Sequence, residues 1–314
     1  MIDFALGAPV AGDLDVRWIH GIAPGAADTD PGFQVHAYDP HTYILRQSKT
    51  ANYEGPFIYL LFGNERALLL DTGATADSPL RSVVDGVMSD WLAANAAGSA
   101  GSAGPGYELV VAHTHAHGDH VAGDGLFADR PGTTLVAKEV EAVREFFGFT
   151  DWPGQVVTFD LGGRVLEITG IPGHHPASIL IYDPWSGFLL TGDTFLPGRL
   201  YAPEYPEFVE SMDRMVEFAS ARAVTHVMGC HVEMSMRPGR DYPIGSRYQP
   251  DEVAIQMTVR QLVAARDAAK ASTRPGVHKF DDFIIYNGPC RGAVFGQLAR
   301  TMLRRVARRE SVAP

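Results

Sequence analysis

Four potential metal ligands fall within six residues of this chain, directly after an apolar run. His115, His117, Asp119 and His120 follow the run 109–111, and a glycine comes soon after them. A short apolar run bounded by turn residues is typical of a buried strand, so these side chains should lie where a strand ends. Neutral imidazole suits several transition metals, and an added carboxylate favours zinc or iron. The cluster predicts a metal site; the alternative is a histidine-rich loop without a metal.

Three later apolar runs also end at a potential ligand. The strands predicted near residues 168–171, 187–190 and 223–229 are followed by His174, Asp193 and His231. A four-part pattern of this kind is much more specific than any one short motif.

Together these residues resemble the metallo-β-lactamase fold superfamily, which includes glyoxalase-II-like hydrolases. The signature His-x-His-x-Asp-His falls on residues 115–120, and the three later ligands of the family match in the same order. The resemblance covers about residues 57–231. It implies an α/β (α+β) fold, a four-layer α/β/β/α sandwich, and the mixture of strands and helices in both halves of the chain agrees with that architecture. The site would lie along one edge, where strand ends meet.

The resemblance also implies two divalent cations, because seven ligands are too many for one tetrahedral zinc. Zinc is expected, with iron or manganese as alternatives. The first cation would be held by His115, His117 and His174, and the second by Asp119, His120 and His231, with Asp193 bridging the two.

Two cations about 3.5–4 Å apart can hold a hydroxide between them and lower its pKa towards neutrality. The hydroxide would attack an electrophilic carbonyl, phosphorus or sulfur, and the cations would stabilise the oxyanion. Asp119 and His120 are expected to be catalytic as well as ligating. The predicted function is hydrolysis of a small-molecule ester, thioester, lactone or related bond.

Residues beside the ligands have more than one interpretation. By resemblance, Asp71 would orient a ligand histidine from behind; alternatively it caps a turn. His113 and His175 adjoin ligands, but alternation along a strand predicts that they point away from the site. Cys230 precedes a ligand and is expected to be a small buried residue.

The loop 232–250 directly follows a ligand and is a candidate lid over the site. Its arginines suit a carboxylate and its tyrosines suit an apolar body; the alternative is an ordinary surface loop. The predicted substrate-binding residues are Arg240, Tyr242, Arg247 and Tyr248.

The whole chain, 1–314, is predicted to be one metallo-β-lactamase-type domain. Its core would span about 43–231, and an extension over 232–314 would carry the lid loop and two helices. Residues 1–40 are expected to form an irregular arm, and the Ala/Gly/Ser-rich segment 93–106 a surface loop.

The pattern in the extension predicts a helix from Asp251 to about Ala271, a strand over 280–286 and a last helix. An apolar stripe on that helix would comprise Val294, Phe295, Leu298, Met302 and Val306. The opposite face would be solvated or would bind an anionic partner, and it carries Arg300, Arg304, Arg305, Arg308 and Arg309.

Composition limits the partners. A hydrophobic fraction of 46% with 20% charged residues is typical of a globular protein. Two cysteines fit a reducing compartment, and the first residues lack the pattern of a signal peptide, so a cytoplasmic location is expected. The net charge of -11 argues against nucleic acid or an anionic membrane as a partner, and a small-molecule substrate is expected. The oligomeric state is left open.

Other activities of the same superfamily remain alternatives. A persulfide dioxygenase keeps the histidine signature but uses a single iron. A phosphodiesterase or nuclease would be expected to carry nucleic-acid-binding segments. A flavodiiron-type reductase normally has a glutamate where His117 stands, and a non-catalytic binding protein would have lost ligands, whereas none is missing here.

Overall fold

The structure, a computed structural model, describes residues 1–96 and 106–310, apart from the side chains of residues 96, 300 and 302–310. Most of the predicted loop 93–106 lies outside the described residues, and its first four residues end a helix. Six helices of the described chain carry numbers here: α1 Leu80–Ala96, α2 Gly118–Val121, α3 Val140–Phe147, α4 Tyr205–Ser220, α5 Val259–Ala271 and α6 Arg291–Glu310.

The first sheet has six strands that lie side by side in chain order. Neighbouring strands are antiparallel from β1 to β4 and parallel from β4 to β6. The strands are β1 Phe33–Asp39, β2 Thr42–Gln47, β3 Phe57–Phe62, β4 Arg66–Leu70, β5 Glu108–Ala112 and β6 Thr133–Leu135.

The second sheet also has six strands, and a three-stranded sheet accompanies it. The second sheet contains β7 Val157–Asp160, β8 Val165–Gly170, β9 Ile179–Asp183, β10 Phe188–Gly192, β12 His226–Gly229 and β13 Gln256–Met257, in the order β13-β12-β10-β9-β8-β7. The third contains β11 Arg199–Ala202, β14 Gly276–Lys279 and β15 Ile284–Asn287, in the order β11-β15-β14.

Three apolar clusters define the layers. Alternate side chains of the two large sheets, such as Tyr59 and Ile168, pack against each other. The other face of the first sheet is covered by α1, for example by Val84. The other face of the second sheet is covered by Met212 of α4 and Leu262 of α5. Both faces of each six-stranded sheet are thus covered, and the predicted α/β/β/α sandwich is confirmed.

Strand directions bring the predicted ligands to one end of the sandwich. β4 and β5 are parallel, and so are β10 and β12. β8 runs in the same direction as β10, because β9 is antiparallel to both. Backbone hydrogen bonds join the two sheets there: Ile179 donates to the Thr114 carbonyl at 2.9 Å, and Phe57 donates to the Cys230 carbonyl at 2.8 Å. The ligands follow the carboxyl ends of these strands.

Three element predictions were wrong. The single strand expected over 280–286 is a pair of antiparallel strands, β14 and β15, and residues 280–283 form the connection between them. Part of the expected irregular arm forms the edge strand β1, which pairs along its length with β2. The helix expected from Asp251 begins only at Val259, because Thr258 caps it and exchanges side-chain and backbone hydrogen bonds with Gln261. Residues just before the cap form β13, which pairs with β12.

The last helix is only partly buried along its predicted apolar stripe. Val294 packs beside Met234 and Tyr286, whereas Phe295 is 75% exposed and Leu298 is 38% exposed. The side chains of the predicted basic face lie outside the described residues. Among the described residues, no helix is long and apolar enough to cross a membrane.

Candidate metal centre

A tight turn after β5 places the first ligands. His115 and His117 lie in the turn itself, and α2 carries the next pair. The backbone N–H of His120 donates to the His117 carbonyl at 3.0 Å, which closes the turn. Gly123 passes so close to the chain after β4 that an added Cβ would lie 2.4 Å from the Thr72 carbonyl oxygen. The glycine therefore allows α2 to pack under the site.

The first group of ligand atoms consists of three imidazole nitrogens. His115 Nε2 lies 2.9 Å from His117 Nδ1 and 3.2 Å from His174 Nε2, and the last two atoms are 3.1 Å apart. Four-coordinate zinc with Zn–N distances of about 2.0–2.1 Å separates its ligand atoms by about 3.3 Å. Three nitrogen lone pairs at this spacing repel one another unless a proton or a cation lies between them. The group fits one face of a tetrahedral cation site.

The second group combines two imidazoles with two carboxylates. His231 Nε2 lies 3.3 Å from both His120 Nε2 and Asp119 Oδ2. Asp193 Oδ2 lies 3.5 Å from the same two histidine nitrogens. These spacings again match the edges of a four-coordinate site. Two neutral imidazoles and two carboxylates also carry enough negative charge to balance a divalent cation.

Asp193 is the carboxylate predicted to bridge the two cations. One oxygen, Oδ2, belongs to the second group, while Oδ1 is buried without a hydrogen-bond partner in the described structure. A buried carboxylate oxygen without a donor is costly, because it loses its hydration and gains nothing in return. A cation beside Oδ1 would satisfy it, so the chemistry of the donor set fits the predicted bridging carboxylate.

Hydrogen bonds behind the rings decide which nitrogen faces each group. His174 Nδ1 donates to the Tyr201 carbonyl at 2.8 Å, and His231 Nδ1 faces the Glu54 carbonyl at 3.3 Å. His120 Nδ1 donates to Asp71 Oδ2 at 2.9 Å. With the proton held on Nδ1, Nε2 carries the lone pair that a metal requires.

Asp71 makes hydrogen bonds that fit both of the roles considered for it. It is fully buried and has the left-handed backbone angle φ of 75°, as turn residues often do. It accepts hydrogen bonds from the backbone N–H of Thr114 at 2.8 Å and from the Thr114 hydroxyl at 2.9 Å. Asp71 therefore fixes the turn that carries His115 while it orients His120.

The two groups differ in electrostatics. Burial and the neighbouring histidines lower the pKa of His174 to about 4, so the first group is uncharged at neutral pH. Burial opposes the charge on His231, but the carboxylates of Asp193 and Asp119 outweigh it and raise the pKa to about 9. Burial likewise opposes the charge on Asp193, but His231 and His120 lower its pKa to about 2. A cation in the second group would displace the histidine protons, because imidazole ligates in its neutral form.

Three residues adjoin the predicted ligands in the sequence, and their side chains lie on different sides of the site. His113 is buried on the far side of the turn, with Nε2 3.3 Å from Asp124 Oδ1. His175 was predicted to point away, but its ring centroid lies only 5.1 Å from that of His117. The alternation argument fails for His175 because the residue lies in a loop between β8 and β9. Cys230 is buried as expected, with Sγ 3.4 Å from Asp71 Oδ2.

The four predicted substrate residues make their contacts elsewhere. Arg240 is exposed, and Arg247 donates to the Lys49 and Thr50 carbonyls. The Tyr242 hydroxyl accepts from the Asp251 backbone, and Tyr248 lies against the His20 ring. Within the described residues, none of the four has a hydrogen bond, ion pair or ring contact with the seven ligands. Their role in substrate recognition stays a prediction.

The sequence did not indicate the groups that hold the ligands through backbone carbonyls. Tyr201 and Glu54 act on His174 and His231 in this way. The Glu54 carbonyl is held in turn by the buried Lys49 ammonium, at 3.2 Å. Every residue has a carbonyl, so no residue type marks these positions.

The chain belongs to the metallo-β-lactamase superfamily. The model of this family matches residues 53–225, which is more than half of the chain. The match includes β3 to β10 and all the predicted ligands except His231. The chain is therefore a metallo-hydrolase of this superfamily, and its substrate is a separate question.

Similar proteins include hydroxyacylglutathione hydrolases. The one from Synechococcus sp. (strain JA-3-3Ab) is 27% identical over 205 residues, which cover 61% of this chain and 76% of that protein. The one from Anaeromyxobacter dehalogenans (strain 2CP-C) is 29% identical over 138 residues, 44% of this chain and 45% of that protein.

Solved structures resemble this one in fold. TMB-1 superposes with a TM-score of 0.51 at 14% identity, and the match covers 78% of this chain and all of that one. The DIM-1 metallo-β-lactamase exposed to ceftazidime gives a TM-score of 0.51 at 15% identity, with the same coverage. At such identities the likeness concerns the fold alone.

Proposed function

We propose that this protein is a binuclear metal-dependent hydrolase that cleaves an ester, thioester or lactone bond in a small molecule. One observation carries the proposal: beside a first group of three histidine nitrogens, Asp193 has one oxygen in the second group and a second, buried oxygen without a donor among the described residues. Two divalent cations at such a site supply a water nucleophile at neutral pH and stabilise the charge that develops on the substrate.

The chain's own residues hold this chemistry in place. Asp71 and Thr114 fix the turn, and His120 is oriented so that its Nε2 faces the second group. Asp119, with its side chain 26% exposed, is the most accessible ligand of that group. We assign Asp119 and His120 catalytic roles through the cation that they would hold, because His120 is completely buried and its Nδ1 is already bonded to Asp71.

A thioester of a small thiol is the preferred substrate class. Support comes from the relatives, which are named as hydroxyacylglutathione hydrolases. Zinc remains the preferred metal, and a cytoplasmic location stays a prediction.

The test combines metal content with a substrate panel. We expect two metals per chain by elemental analysis, and turnover of an acylated thiol such as S-lactoylglutathione or of a lactone. Asp193→Asn, which changes the predicted bridging ligand, is the control that should have lost most of this activity. One iron per chain together with oxidation of a persulfide would replace the proposal with a dioxygenase, and turnover of only a phosphodiester would replace it with a phosphodiesterase.

A further inference from the structure

His175 is a histidine at the metal centre that belongs to neither group of ligand atoms. It is half-buried, and its ring centroid lies 5.1 Å from that of His117 and 5.8 Å from that of His115. The ring is nearly perpendicular to the His117 ring, with an interplanar angle of 80°. His175 therefore lines the first group without being part of it.

A backbone hydrogen bond determines which nitrogen of His175 carries the proton. The N–H of Ala177 donates to His175 Nδ1 at 3.1 Å. A nitrogen that accepts a hydrogen bond has no proton of its own, so the proton of the neutral ring must be on Nε2. This arrangement is the reverse of that in His174, whose Nδ1 donates to a carbonyl.

The tautomer decides what His175 can do. Nδ1 is occupied by the Ala177 N–H, and Nε2 bears a hydrogen, so neither nitrogen offers a lone pair to a cation. Among the described residues, Nε2 has no hydrogen-bond acceptor. A half-buried N–H without a protein acceptor beside the first group is available to a ligand that brings an oxygen.

We propose that His175 donates a hydrogen bond from Nε2 to the substrate oxygen that becomes negatively charged at the first group. This inference rests on the proposed hydrolase function and adds a residue that binds the substrate. A fixed donor is most effective where charge develops, because it needs no reorganisation during the reaction. The ligand class is a carbonyl compound, or an oxyanion that resembles its tetrahedral intermediate.

The experiment uses inorganic phosphate as an oxyanion probe and the zinc-saturated full chain. Calorimetry would measure phosphate affinity for the parent and for His175→Ala, His175→Gln and His278→Ala. Glutamine keeps an N–H donor at the end of the side chain, whereas alanine has none. His278, on β14 of the third sheet, is the control, because its Nε2 already donates to the Arg274 carbonyl. Metal content would be measured in every sample.

We expect His175→Ala to weaken phosphate binding about tenfold, as for a lost hydrogen bond to a charged group. Metal content should equal that of the parent, and glutamine should restore much of the affinity. With a substrate in hand, kcat should fall about 10²-fold in His175→Ala, as it does when one oxyanion donor is removed. His278→Ala should match the parent in all three measurements.

Several results would overturn the proposal. They are equal phosphate affinity in parent and His175→Ala, equal losses in the alanine and glutamine variants, a loss of metal in His175→Ala, or a parent that binds no phosphate. The proposed function fails separately: a parent that hydrolyses no ester, thioester or lactone, but whose phosphate affinity depends on His175 as expected, would keep the donor and reject the hydrolase.

Discussion

Asp71 Oδ2 lies 2.9 Å from His120 Nδ1, and both side chains are completely buried. The pair connects the end of β4 to α2, which are 49 residues apart in the chain. The same carboxylate holds Thr114, so a single residue controls the turn after β5 and the orientation of one ligand. Asp193, by contrast, contributes its own Oδ2 to the second group of ligand atoms.

This difference predicts unequal effects of two isosteric substitutions. Asp193→Asn should lose more metal and activity than Asp71→Asn. A neutral amide at position 193, the predicted bridge, leaves the positive charge of the two cations less neutralised. Asn tolerates the left-handed backbone of residue 71, so Asp71→Asn should fold and should lose activity by about 10–100-fold through poorer ligand orientation. Elemental analysis and steady-state kinetics on both variants provide the comparison. Equal losses of metal and activity would contradict these roles.

His117→Ala should remove the first metal without unfolding the chain. The two sheets and their helices have their own apolar core, unlike a zinc finger that folds only on its metal. We expect about one metal per chain fewer, most activity lost, and an unchanged circular dichroism spectrum. His278→Ala provides a control for the loss of a histidine outside the site. Equal metal content in His117→Ala and the parent would exclude His117 as a ligand.

Lys49 should make stability depend on pH above neutrality. Its side chain is buried, and desolvation lowers its pKa from 10.5 to about 8, although Glu252 opposes the shift. Between these two values the unfolded chain holds a proton that the folded chain has lost, so the free energy of unfolding rises with pH. The total gain in the free energy of unfolding is about 3 kcal/mol. It is absent below pH 8 and complete only above pH 10.5.

The measurement is urea unfolding of zinc-saturated protein at several pH values from 7.5 to about 10. The parent should gain stability relative to Lys49→Met as the pH rises. The exposed Lys138 provides the control, and Lys138→Met should follow the parent. A difference in the free energy of unfolding between the parent and Lys49→Met that stays constant across this range would contradict the prediction. Lys49 would then have the same protonation state in the folded and the unfolded chain.

The strand ends could be predicted from the sequence because they follow a local pattern of apolar and polar residues. Apolar runs that end at His115, His174, Asp193 and His231 identified strand ends, and parallel strands bring such ends to one edge of a sheet. The edge strand β1 was missed because pairing with β2, and not a strong pattern of its own, makes it a strand. The start of α5 was misplaced because one capping residue, Thr258, decides it.

The residues around the ligands were harder to predict because their roles come from backbone and loop geometry. Tyr201 and Glu54 act through carbonyls, which carry no residue-specific signal. His175 was placed on the wrong side because alternation applies to strands only. The resemblance implies an orienting role for Asp71, but its hydrogen bond to the Thr114 backbone depends on the fold of the turn after β5, which no local pattern indicates.

The loop 232–250 gives the last prediction, and its two arginines that were predicted to bind the substrate form a natural pair for comparison. Arg247 donates to the Lys49 and Thr50 carbonyls, and that segment leads to Glu54, whose carbonyl faces His231. Arg240 is exposed, and its side chain has no hydrogen bond or ion pair among the described residues. Arg247 can thus influence the site through the segment 49–54, and Arg240 has no such connection.

We expect Arg247→Ala to raise KM about three- to tenfold with metal content unchanged, because losing a charged hydrogen-bond donor costs about 1 kcal/mol or somewhat more and loosens the neighbouring segment. Arg240→Ala should behave like the parent unless its guanidinium binds the substrate directly. A rise in KM in both variants would support the original lid interpretation, in which both arginines grip the substrate. Unchanged KM in both would leave 232–250 as a surface loop with no part in recognition.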